Sequence, residues 1–257
     1  MKGHGDAPSM LLPMVLVCIA ATGYVLLAVA QRRRPCKWSR VRTGLFLSGC
    51  VLLIWGLSPG ALPFAPGDFR KHMLQHLLIG MFAPIGLVMA APVTLLLRTL
   101  PSRWGRRVTG ILRSRAMHWM ANPLVALALD LGGMALLDFS PLYRAMMMNP
   151  SLDYLIHFHF VAAGCLYTWV IAGPDPAPHR PTVPMRLMVL GVAVVIHSVL
   201  SQLLYAGWHV SAAAPLSEVQ RGAELMYYGG DIAELLLAFA LVTSWHPAKK
   251  HVEFAAA

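Results

Sequence analysis

His72 and His76 stand four residues apart in an apolar stretch of this chain. On a helix that spacing puts both imidazoles on one face, and two imidazoles on one face can share a metal ion. His157, His159, His197, Asp231 and Glu234 occupy comparable settings, each inside or at the mouth of a long apolar run. Ionisable groups are costly in hydrocarbon, and where they occur there they mark functional sites. The chemistry open to this set is metal binding, with His72, His76, His157, His159, His197, Asp231 and Glu234 as candidate ligands. Cys18, Cys36, Cys50 and Cys165 are scattered and form no CxxC pair. They read as small hydrophobes, not as a disulfide framework or a thiolate site.

The elements that must position these residues are membrane spans. Of the 257 residues, 57% are hydrophobic and 12% charged, with a mean hydropathy of +0.60; soluble domains carry about 25% charged residues. The expected fold class is all-α, a polytopic membrane bundle of seven transmembrane helices forming a single domain over 1–257. The apolar runs lie at roughly 10–30, 44–63, 72–97, 122–140, 152–173, 187–206 and 223–245, each near the ~20 residues that a span needs. The first run is too long for a signal-peptide core and has its basic cluster after it, so it reads as a retained span.

A formal charge of +10 invites a nucleic-acid partner, but the basic residues sit in short clusters beside the apolar runs, as topology signals do. Arg32, Arg33, Arg34, Lys37, Arg40 and Arg42 follow span one. Arg98, Arg103, Arg106, Arg107, Arg113 and Arg115 follow span three. Arg180 and Arg186 follow span five, and Lys249 and Lys250 follow span seven. Lys2, Arg70, Lys71, Arg144 and Arg221 fall on the opposite side. The positive-inside rule then puts the N-terminus outside and the C-terminus in the cytoplasm. No nucleic-acid partner is expected; membrane lipid is.

On this topology the polar residues share a leaflet. Counted from the span ends, His76 lies about 6 Å deep, His157 about 8 Å, and His197 and Asp231 about 12 Å each, all in the outer half. His157 and His159 are two residues apart, a rotation of about 200° on a helix, so a regular helix turns only one of them to a given point. Glu224, Tyr227, Asp231 and Glu234 recur at three- and four-residue steps and share a face of span seven. They could complete a metal shell, orient imidazoles or balance charge. Asp130, in span four, reads as a hydrogen-bonded acid between helices. Among 15 methionines, Met146-Met147-Met148 form an outer triplet, and Met73, Met81 and Met226 lie near the candidate site. Thioethers select Cu(I), and imidazole suits copper too.

Irregular backbone is expected at Pro84 and Pro92 of span three, since each removes a helix donor. Gly132-Gly133 and Gly229-Gly230 permit close helix approach. The proline-rich loop 173–181 reads as a stiff, extended connector rather than a binding motif.

The stretch His72-Met73-Leu74-Gln75-His76-Leu77-Leu78, followed by Ala83-Pro84 and Ala91-Pro92-Val93-Thr94-Leu95-Leu96-Leu97-Arg98, resembles the CtaG family of cytochrome c oxidase assembly factors. The likeness continues through His157-Phe158-His159-Phe160, Gly164, Gly173-Pro174-Asp175-Pro176, His197-Ser198 and Leu225-Met226-Tyr227-Tyr228-Gly229-Gly230-Asp231. It covers roughly 45–245. The resemblance implies a seven-span protein of the bacterial inner membrane that matures haem–copper oxidases by delivering copper to the catalytic subunit. A periplasmic copper chaperone is the candidate donor. The histidines it carries over are His72, His76, His157 and His197. The chain departs from many relatives at Glu218-Val219, where they have an Asp-Gln pair.

Copper is therefore the expected metal, with zinc as the alternative. Three histidines and an acid around zinc could activate water for hydrolysis of a lipid ester or amide, with Asp231 or Glu234 as the base. That makes an intramembrane zinc-dependent hydrolase the rival function. Haem ligation by facing histidines and a scaffold with hydrogen-bonded core histidines are further alternatives.

Overall fold

The computed structural model describes residues 7–32, 37–65, 67–208, 210 and 214–244. Lys2, Arg33, Arg34, Cys36, Lys249 and Lys250 lie outside the described residues. Every regular element among them is helical: α1 (Ala7–Arg32), α2 (Arg40–Leu57), α3 (Phe69–His76), α4 (Ala83–Met89), α5 (Pro92–Thr99), α6 (Ser102–Leu112), α7 (Arg115–Met120), α8 (Pro123–Asp138), α9 (Leu142–Met148), α10 (Pro150–Ile171), α11 (Val183–Tyr205) and α12 (Leu216–Thr243). Among the described residues, six spans are long and apolar enough to cross a bilayer, and α8 with α9 makes a seventh if that bent pair is counted as one. This is a multi-pass membrane protein.

Span four departs from the expected single helix over 122–140. Helix α8 has 16 residues, about 24 Å at 1.5 Å per residue, against a hydrocarbon core of about 30 Å. The chain then turns by 77° into α9. Pro141 stands at the break as the residue before α9, and a proline cannot donate a backbone hydrogen bond to continue α8. The bend lays Tyr143 and Met146 back onto the core.

Span three, Phe69–Thr99, is the centre of the bundle and packs against α2, α10 and α12. Between α3 and α4 the helix widens into a π-helical segment, Leu77–Phe82, in which the Ala83 amide donates to the Leu78 carbonyl, five residues back. The widening lies just before Pro84, and π turns of this kind cluster at functional positions. A second break falls at Ala91, which adopts left-handed φ 55. That conformation costs an L-residue roughly 1–2 kcal/mol, and Pro92 then starts α5.

The cost at Ala91 is offset from the loop 173–181. Asp175 is buried and its carboxylate caps α5, accepting from the Val93 amide (3.0 Å), the Thr94 amide (2.7 Å) and the Thr94 hydroxyl (2.6 Å). A carboxylate at a helix N-terminus also meets the positive end of the helix dipole. Arg180 donates to the Asp175 carbonyl at 2.5 Å, and Arg186 to the Ile171 carbonyl at 2.8 Å. Nearby, Trp38 donates to the Tyr24 hydroxyl (3.0 Å), which donates to the Ala90 carbonyl (2.9 Å). The proline-rich connector is therefore a latch that fastens α5 to the α10–α11 junction.

Candidate metal site at the histidine end of the bundle

Asp68 sets where α3 begins. Its carboxylate accepts from the Arg70 amide at 2.9 Å and from the Arg70 guanidinium at 2.6 Å. The Arg70 hydrogen bond holds the Asp68 carboxyl below the usual aspartate range. From that cap, His72 and His76 emerge one turn apart, and both are buried.

His72 lies edge-on to Tyr143, with ring centroids 5.0 Å apart, and its Nε2 is 3.8 Å from Asp138 Oδ1. That separation is too long for a hydrogen bond; consistently, Asp138 Oδ1 has no hydrogen-bond partner among the described residues. His76 packs edge-on to Phe160 at 4.8 Å, and its Nδ1 has no partner among the described residues. His157 is anchored by its own helix: Nδ1 is 2.8 Å from the Asp153 carbonyl and 3.2 Å from Asp153 Oδ1. With Nδ1–H donating, Nε2 carries the free lone pair, which is how a metal-ligating imidazole is usually oriented.

His197 is the most enclosed of the set, 1% exposed, and neither ring nitrogen has a partner among the described residues. Its ring occupies the space over Gly230, where a side-chain methyl would collide with it. The expected role of the glycine pairs is thus specific. Gly133 leaves room for the His159 ring and Gly230 for the His197 ring, while nothing approaches Gly132.

The four imidazoles form a file rather than a single point. His72 is in electrostatic reach of His76 and His157, and His76 is in reach of His197. These pairings link His157 to His72, His72 to His76 and His76 to His197, side chains contributed by α10, α3 and α11. Among the described residues no three His, Cys, Asp or Glu side chains stand together as a ready metal cage.

The remaining candidates have other neighbours. His159 turns to α8 and donates from Nε2 to the Leu129 carbonyl at 3.0 Å. Asp231 lines a groove of about 510 Å³ between α11 and α12, with Ser198 and Tyr227. Glu224 and Tyr227 line the neighbouring groove of about 280 Å³, so the acidic stripe does share one face, turned to α11. Glu234 is 5% exposed, with Oε2 unpartnered among the described residues. It borders both the larger groove and a small cavity of about 30 Å³ shared with Asp130 and Tyr167.

Several site residues carried little sequence signal. Asp153 was findable, because it precedes His157 by one helical turn. Asp138 and Tyr143 were not, because the bend between α8 and α9 is what brings them to His72. Met73, Met146 and Met226 are buried in the same core cluster as Phe69 and Tyr143, whereas Met147 and Met148 are exposed.

Comparison with known proteins bears on what such a file is for. The profile of the cytochrome c oxidase caa3 assembly factors (Caa3_CtaG) matches residues 22–247. The chain belongs to that family. Among curated relatives, the Caa3_CtaG chain is 27% identical over 246 residues to an uncharacterized protein of Mycobacterium bovis and equally to one of Mycobacterium tuberculosis. It is 25% identical over 249 residues to an uncharacterized protein of Mycobacterium leprae. Each match takes in 88% of this chain but 37% of the relative, so this Caa3_CtaG chain spans well under half the length of those proteins. No solved structure matches significantly.

Proposed function

We propose that this protein is an assembly factor for cytochrome c oxidase in the bacterial inner membrane, and that it takes up copper through His72, His76, His157 and His197 and passes it to the oxidase catalytic subunit. The observation that carries the reading is the set of buried ring nitrogens, His76 Nδ1 and both nitrogens of His197, that have no partner among the described residues. Each such group forfeits about 1–3 kcal/mol, and in a low-dielectric interior an unsatisfied nitrogen calls for an explanation. A soft cation supplies one, since imidazole donors suit copper. Family membership supports the client.

A file suits cargo. Copper moving between successive imidazole pairs is held by few donors at each step, so it can leave. A resident catalytic zinc needs three protein donors on one ion, and the spread of the side chains favours transfer over that hydrolytic arrangement. In this reading the arginine-rich ends of the helices face the cytoplasm and the histidine end faces the periplasm, where a copper chaperone would dock. Asp153 sets the orientation of the His157 ring, and Met73 and Met226 add polarizable surroundings. His159, held by the Leu129 carbonyl, contributes to helix packing.

Mass-spectrometric metal analysis of the purified protein after Cu(I) loading tests this. His76→Ala should lower copper per protein at least severalfold with the melting temperature within a few degrees of the parent, while His159→Ala should leave copper unchanged. Equal copper in His76→Ala and the parent would overturn the assignment.

A further inference from the structure

Helix α6 (Ser102–Leu112) has no buried residue and packs chiefly against its chain neighbours α5 and α7. An isolated helix of 11 residues is marginal in water, so something beyond the bundle must hold it. Its two faces say what. Trp104, Val108 and Ile111 follow at four- and three-residue steps and share one face. Trp104 is 45% exposed and Ile111 64%. Arg103, Arg106 and Arg107 share another face, and the Arg107 guanidinium lies over the Trp104 ring at 4.6 Å.

Position supplies the second argument. Span three ends at Thr99 and α8 begins at Pro123. Segment 100–122 therefore joins two span ends on one side of the membrane. Along the chain on either side of it, charge is of one sign. Arg98, Arg103, Arg106, Arg107, Arg113 and Arg115 fall in this region, and no Asp or Glu occurs between Asp68 and Asp130.

We propose that α6 is an in-plane helix that binds anionic phospholipid, with Trp104, Val108 and Ile111 sunk at the acyl boundary and Arg103, Arg106 and Arg107 gripping phosphate. A short amphipathic helix with Trp on one side and arginines on the other has the physical make-up of an interfacial binder, and basic clusters beside span ends attract anionic headgroups. Arg107 bridges the two faces, its charge in reach of the headgroups and its planar group on the indole. The inference is independent of copper binding.

The test uses the full chain reconstituted in bilayers of phosphatidylcholine alone or mixed with phosphatidylglycerol. Trp104 fluorescence, taken as the difference between the parent and Trp104→Phe, should be quenched by lipid carrying a spin label near the headgroup, more strongly when phosphatidylglycerol is present. Arg103→Gln/Arg106→Gln/Arg107→Gln should weaken phosphatidylglycerol retention in native mass spectrometry on the order of tenfold or more, with circular dichroism unchanged because these side chains bury nothing. Added salt should act in the same direction. An unquenched Trp104 would overturn the proposal. Retention indifferent to the three arginines would equally overturn it. The quenching measurement stands on the parent chain, so a poorly folding triple variant leaves the proposal open to refutation.

Discussion

The two ends of the bundle handle buried polarity in opposite ways. At the arginine-rich end, Asp175 has its carboxylate occupied by two amides and a hydroxyl, and its carbonyl by Arg180. At the histidine end, His76, Asp138 and His197 keep polar atoms without partners among the described residues. Both sets are buried in the same molecule. A satisfied network rigidifies a fold, and an unsatisfied one is a high-cost feature kept for some other use. The latch is thus architecture, and the file is where binding chemistry is to be sought.

The sharpest way to break this contrast is at Asp175. Replacing it with Ala removes three hydrogen bonds to α5 and leaves the left-handed Ala91 unsupported. The expected loss is about 3 kcal/mol, seen as a lower midpoint in thermal unfolding of the detergent-solubilised protein. Copper per folded molecule should hold. Loss of copper in proportion to His76→Ala, with little loss of stability, would reverse the roles of the two ends.

At the other end the expected pattern is inverted. His197→Leu puts an apolar side chain where an unpartnered ring stands, so stability should change by no more than about 1.5 kcal/mol, while copper binding falls severalfold. A collapse in stability would show that the ring nitrogens have structural partners after all.

The smallest effect is expected from pH. Arg70 holds the Asp68 carboxyl down, so the folded pKa lies below the unfolded value of about 3.9. The cap's contribution is therefore complete above roughly pH 4 to 5 and fades as pH falls through the folded value. Hydrogen exchange at the amides of residues 69–72 should quicken at low pH in the parent, and Asp68→Ala should be fast across the range. Flat exchange in the parent would remove Asp68 from the set of groups that position His72.

What could be seen in the sequence follows from how local each cause is. The spans were visible because their apolar runs are continuous, and the shared face of His72 and His76 because it is a property of a single helix turn. The choice between His157 and His159 was visible only as a conflict of rotation. The His159 ring turns to a carbonyl on α8 and the gap above Gly133, neither of which lies near position 159 in the chain. The latch was out of view for the same reason: Asp175 and Val93 are 82 residues apart, and a cap donated across that distance has no period. Nothing in 122–140 except the proline just beyond it signals that span four stops short and folds back. Asp231 and Glu234 share the expected face, but that face looks to α11, and sequence cannot choose a helix's neighbour.

The widened turn at Leu77–Phe82 also has a bearing on descent within the family. A π turn is what an α-helix becomes when one residue is added without relieving either flank. Here the surplus residue sets the phase between the half carrying His72 and His76 and the half carrying Pro84 and the Asp175 latch. Shortening this stretch by one would heal the helix and swing the two imidazoles by about 100° about its axis. A single codon could therefore turn His72 and His76 away from His157 and His197, with no change to any histidine.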